Sequence, residues 1–211
     1  MYKLTGILLI CALWLPVKAQ YPGYSVVTDL PAFREQFTAA SKMITSIKSD
    51  FVQVKTLSML SEKIVSSGKF WFKKSNLVRM EYQQPFQYLM ILNGDKVFIK
   101  DGEKKNTLSV SANKVFQQIN KIIVDCLQGS ALSSTDFQTK VFQNATGYLV
   151  ELQPLSKSLR GFFKTINIVA DKKNYSVNTI ELNENGGDNT LIRFSNKEIN
   201  TSFPDALFTI K

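Results

Sequence analysis

Apolar residues change their spacing several times along the chain, and each change predicts a different element. Residues 4–15 form an almost unbroken apolar run behind Lys3. Asp29 and Pro31 then open a helical pattern, because aspartate caps free amides and proline is tolerated in a first turn. Phe33, Phe37, Ala40, Ile44 and Ile47 follow at spacings of three and four, which places one apolar stripe on an amphipathic helix. From Asp50 the period becomes two. Phe51-Val52-Gln53-Val54-Lys55, Gly68-Lys69-Phe70-Trp71-Phe72-Lys73 and Val78-Arg79-Met80-Glu81-Tyr82 alternate as strands with one dry and one wet face. Residues 88–92 are apolar on both faces, and Asn93-Gly94 ahead of Val97-Phe98-Ile99 is a strong hairpin signal.

A polar turn is expected over residues 101–106, after which helical spacing returns over 113–128. Val115, Phe116, Ile119, Ile122, Ile123 and Cys126 or Leu127 form that stripe, and Gly129 is placed to end it. The remainder is rich in strand patterns, with turns expected at 145–147, 171–174 and 185–188, and the last strand read at Phe208-Thr209-Ile210-Lys211. Sequential strands joined by hairpins imply an antiparallel sheet, and two helices are too few to cover both faces of a large parallel one. The expected class is α+β, mainly β, with a curved sheet and helices lying across its apolar face. Helices that fill the concavity make a core; helices that fill it incompletely leave a pocket. No linker or repeat divides residues 20–211, so a single domain is expected.

The apolar start reads as an export signal, residues 1–19, with small residues at Val17 and Ala19 for cleavage before Gln20. Lipidation at Cys11 does not fit, since Leu9 and Ile10 are not small and the apolar run continues past it. A soluble, exported protein is therefore expected. Losing Lys3 and Lys18 lowers the formal charge from +9 to +7. The lysines and arginines are scattered rather than massed, which argues against nucleic acid as a partner. Cys126 is the one cysteine left after cleavage, so no internal disulfide is available. A chain of about 190 residues buries roughly 70% of its unfolded surface and needs none. There is no histidine, which removes imidazole triads and the commonest metal ligand. Asp50, Glu62 and Glu81 are isolated on alternating strands, and Asp125 beside Cys126 has no base. No enzyme, cofactor or metal site is expected.

Phe51-x-Gln53-x-Lys55, the stretch Gly68-Lys69-Phe70-Trp71-Phe72-Lys73-Lys74-Ser75-Asn76-Leu77-Val78-Arg79-Met80-Glu81-Tyr82, Pro85 and the Asn93-Gly94 turn together resemble the LolA-like outer-membrane lipoprotein carriers. The resemblance implies an unclosed antiparallel barrel lidded by helices over an internal hydrophobic cavity. It also implies a periplasmic chaperone that takes lipoprotein acyl chains from an inner-membrane ABC transporter and delivers them to an outer-membrane acceptor, without covalent chemistry. Each buried CH₂ is worth about 0.8 kcal/mol, so several acyl chains do not cross water unprotected. Lys74 stands where the family often has an arginine that latches the helical lid. Met80 takes the place of a cavity-facing aromatic, and Val78 that of an apolar position near the entrance associated with docking to the transporter. Strand parity puts Phe70, Phe72 and Tyr82 on the same side, and they form the expected cavity wall with Phe37 and the stripe Phe116, Ile119, Ile122 and Ile123. Trp71 falls on the opposite face. Many such carriers continue past the last strand, whereas this chain is expected to stop there. A monomer is expected. A carrier of free lipids or lipid-linked sugars, or an adaptor with a filled interior, would share the same pattern.

Overall fold

Asp29 Oδ1 accepts from Ala32 N at 3.0 Å and Pro31 lies in the first turn, so helix α1 begins where the capping chemistry predicts, at Leu30–Met43. The computed structural model describes residues 21–74, 76–94, 96–102, 104–109 and 122–209. The export signal, with Cys11, and the first part of the second predicted helix, with Phe116 and Ile119, lie outside the described residues.

Helix α1 does not run to Ile47 as its stripe suggests. Ile44 is already extended (φ −83°, ψ 109°), and Ile47 belongs to strand β2, Ser46–Leu57. Both side chains remain buried, so the spacing tracked burial correctly across a change of element. The reason is tertiary: Ser46 pairs with Lys73, and β-branched Ile44 and Thr45 give little to prolong a helix against that ladder.

The other strands are β1 (Ser25–Val26), β3 (Glu62–Lys73), β4 (Leu77–Gln84), β5 (Tyr88–Asn93), β6 (Lys96–Asp101), β7 (Lys104–Ser109), β8 (Phe137–Gln143), β9 (Gly147–Pro154), β10 (Phe163–Asp171), β11 (Val177–Glu184) and β12 (Asn189–Ile199). Described residues 122–128 are helical (α2), and Lys157–Arg160 forms a single turn, α3. One antiparallel sheet holds the strands in the order β1-β8-β9-β10-β11-β12-β2-β3-β4-β5-β6-β7. Its outer strands, β1 and β7, do not pair with each other among the described residues, so the sheet is not closed. The turns at 93–94, 145–147, 171–174 and 185–188 are all hairpin connections. The turn expected over 101–106 is shorter, because Lys104–Asn106 already pair with β6. Gly129 adopts φ 75° after α2, the left-handed conformation that favours glycine.

Alternation sorts the side chains as expected. Phe70 faces Met80 and Phe72 faces Val78 across β3 and β4, all four buried on the inner, helix-bearing face. They join Phe33 and Phe37 of α1, Ile122 and Ile123 of α2, and Ile166, Ile168, Ile180, Leu182 and Ile192 of the far strands in one core. The outer face carries a second, smaller apolar site. Ile91, between inward Met90 and Leu92, is fully buried there, as is Phe208. Of the segment expected as the last strand, the described residues 208 and 209 are therefore not strand. β12 ends at Ile199, and the chain crosses the outer face of β4 and β5, where Leu207 O accepts from Arg79 and Phe208 O from Asn93. Trp71 shares this side, with the Arg79 guanidinium 5.6 Å from its ring centre.

Candidate functional site

Between the sheet and α2 lies a cavity of about 200 Å³. Its apolar end is made by Met80 and Met90, which are cross-strand partners on β4 and β5, with Ile123 of α2, Leu182 of β11 and Ile192 of β12. Its polar end consists of Gln53, Lys55, Glu184 and Thr190. These residues meet because β2 pairs with β12 over Phe51↔Phe194 to Thr56↔Asn189, which brings the two halves of the chain side by side. Three of the four polar residues are partly exposed and form the mouth. There Lys55 Nζ lies 3.4 Å from Glu184 Oε1, which also accepts from Thr190 Oγ1.

Two tyrosines join the two ends. Tyr82 donates to Gln53 Oε1 at 3.0 Å and packs edge-on against Phe51 and Tyr88, at ring separations of 4.9 and 5.5 Å. Burial pushes both phenols above their ordinary value, with the Tyr88 ring adding to the effect at Tyr82 and Asp101 to that at Tyr88. The wall is thus uncharged across the physiological range. Ligand pockets for small molecules run from roughly 300 to 1,000 Å³, so this space must widen to hold a long hydrocarbon chain. Flexible thioethers at Met80 and Met90 suit a wall that reshapes.

Of the residues singled out in the sequence, Met80, Tyr82 and Ile123 line this cavity. Phe37, Phe70 and Phe72 are fully packed in the core behind it. Ile122 faces a separate hollow of about 110 Å³ with Asp125, Asp136 and Phe137. Val78 is buried between Phe72 and Leu92 and offers no outer surface in this conformation. Met90, Leu182 and Ile192 escaped the sequence reading, although each sits at an inward position of an alternating strand.

The Lys74 ammonium donates to the carbonyl of Lys42, in the last turn of α1. Asn200 Nδ2 donates to Met43 O at 3.0 Å, while its Oδ1 accepts from Thr45 N at 2.8 Å. The carbonyl end of α1 therefore has a cation and an amide as partners, which its dipole and its unsatisfied oxygens both favour. Towards its other end, Phe33 and Phe37 pack on Tyr148 and Tyr175, and Tyr175 donates to Gln36 at 2.7 Å. Gln128 Nε2, at the end of α2, donates to Asn76 Oδ1 at 3.0 Å in the β3–β4 turn.

Among the described residues, no cluster of three or more potential ligands could hold a metal ion. Cys126 is buried, and burial followed by the Asp125 charge pushes its thiol well up. Ellman's reagent should therefore fail to label Cys126 in buffer and label it fully in denaturant. Rapid native labelling would contradict this placement.

The shape and the sequence have relatives. The chain is 26% identical over 157 residues to an outer-membrane lipoprotein carrier protein of Methylibium petroleiphilum, covering 74% of each chain. It is 23% identical over 201 residues to one of Leptothrix cholodnii, covering 95% of this chain and 87% of that one. The crystal structure of a DUF1329 family protein from Desulfovibrio piger shares the fold, with a TM-score of 0.50 at 12% identity over 87% of this chain and 98% of that one. Residues 42–211 match the family model described as outer membrane lipoprotein carrier protein LolA, and the chain belongs to that family.

Proposed function

We propose that this protein carries lipoprotein acyl chains across the periplasm, receiving them from an inner-membrane ABC transporter and passing them to an outer-membrane acceptor. The observation that carries this reading is the cavity itself. It is a hydrocarbon-lined space between the sheet and α2, with a polar mouth and an uncharged wall. Family membership supports the same role. The protein acts by burial rather than by catalysis. Hydrocarbon entering the cavity replaces contacts now made by Ile123, Met80 and Met90, so loading displaces α2 from the sheet.

The deciding experiment adds the purified protein to inner-membrane vesicles bearing a labelled lipoprotein. Label should move to the soluble fraction in a complex with the protein. Label that stays with the membrane overturns the proposal, and mass spectrometry that finds only free lipid in the recovered protein overturns the lipoprotein assignment.

The Lys74 contact is proposed to hold the lid shut. A cation near a helix C-terminus contributes about 0.3–1 kcal/mol, so Lys74→Met should lower stability by that amount. It should also speed uptake of a hydrophobic fluorophore roughly two- to five-fold, since e-fold rate changes follow from fractions of a kcal/mol. Stopped-flow fluorescence and urea unfolding read the two effects, and unchanged uptake would discard the latch.

A further inference from the structure

The β2–β3 hairpin continues past the end of β4 as an arm, accompanied on its β2 side by β12 out to Asn189↔Thr56. β3 pairs with β2 out to Leu57↔Glu62, but β4 leaves β3 at Ser67↔Gln84. Residues 58–65 are exposed on both faces. An ordinary surface hairpin carries polar residues at such positions; this one carries Met59, 94% exposed, and Leu60, 67% exposed, at its apex, with Ile64 and Val65 exposed on its stem. The five apex residues Leu57-Ser58-Met59-Leu60-Ser61 include no charge.

The arm is held in place. Ser58 N donates to Asp188 Oδ1 at 2.9 Å and Ser58 Oγ to Gly186 O at 3.0 Å, tying the apex to the β11–β12 turn. Leu60 N and Ser61 N close back on Leu57 O and Ser58 O. Its base is the cavity mouth, since Gln53 and Lys55 belong to the same strand. At about 3.3 Å per residue, the apex stands on the order of 10 Å beyond that mouth.

We infer that this arm seats the protein on a lipid bilayer, its apex entering the interface beside the mouth. An apex whose own residues carry no charge offers an interface a methionine and a leucine, with the nearest carboxylate, Asp188, held at Ser58. The formal charge, +9 for the full sequence and +7 without Lys3 and Lys18, draws the whole molecule to an anionic lipid surface. Of the acids near the arm, Glu184 at its base is paired with Lys55, and the Asp188 carboxylate holds the apex through Ser58. Pairing of the free β3 edge with a second copy is disfavoured by Glu62 and Lys63 on that edge. The inference goes beyond cargo binding and is read by a separate measurement.

The test is flotation of the full mature chain with vesicles of phosphatidylethanolamine and phosphatidylglycerol. The wild type should float, and the double variant Met59→Asp, Leu60→Asp should lose about ten-fold or more of its vesicle partition. Its circular dichroism and fluorophore uptake should stay unchanged, because neither side chain is packed. In a Met59→Trp variant, emission should shift to the blue on adding vesicles and be quenched by brominated lipid, against the constant background of Trp71. Equal flotation of the aspartate variant overturns the inference. A blue shift that depends on protein concentration without vesicles also overturns it, in favour of self-association.

Discussion

Glutamate in place of Met80 should abolish fluorophore and acyl-chain uptake at neutral pH. Met80 is 2% exposed and forms the cavity wall with Met90 and Ile123. Among the described residues no cation lines that end of the space, whose lining is apolar, so an ionised carboxylate there is unpaired by them. An uncompensated buried charge costs about 3 kcal/mol or more. The sign with pH follows from desolvation, which raises the folded-state pKa above the value of about 4.3 for an unfolded glutamate. The folded state then holds the proton more tightly, so the variant is most stable in acid and loses stability as pH rises above about 4.3. Uptake should recover at pH 4 and be absent at pH 7.5, whereas Met80→Leu should cost less than about 1.5 kcal/mol and keep uptake at both. Full uptake by the folded glutamate variant at pH 7.5 would mean that cargo goes elsewhere.

Gly68→Ala should be the most damaging single methyl in the sheet. Gly68 lies opposite Tyr82 beside an irregularity in the β3–β4 register, and its own φ is unremarkable. The constraint is space. A Cβ there falls inside the van der Waals envelope of the Glu81 carbonyl oxygen, with the Glu81 carbon at 2.8 Å and Tyr82 Cα at 2.9 Å. Backbone has to move, and the strands that move carry Phe70 and Met80. Overpacking of this kind costs about 3 kcal/mol, readable as a lower urea midpoint at an unchanged slope. An unaltered midpoint would show that β3 and β4 separate freely.

Local chemistry made much of this fold legible. Two-residue alternation placed Phe70, Phe72, Val78 and Met80 on one face and Trp71 on the other, because the pleat leaves no third choice. Turn residues marked the hairpins for the same local reason. Contacts between distant parts of the chain were not legible. Nothing near Phe51 shows that it will face Phe194, yet that pairing brings Leu182, Glu184, Thr190 and Ile192 to the cavity. The site was therefore read from one half only. The boundary at Ile44 failed because strand pairing overrode a helical period, and the final segment was taken for a strand because apolar Phe208 packs under a turn as readily as in a ladder. The Lys74 contact was suggested by family likeness, since a lysine beside Lys73 has no local mark of a partner on α1.

The unjoined margins of the sheet, β1 and β7, have a mechanical consequence. A sealed barrel has a girth fixed by its hydrogen-bond ladder, and enlarging it means breaking rungs. Here the perimeter is interrupted, so the two wings can splay about the β12–β2 junction while every rung stays intact. Swelling around a guest then draws on side-chain contacts alone, which makes the interior compliant without loosening the framework that surrounds it.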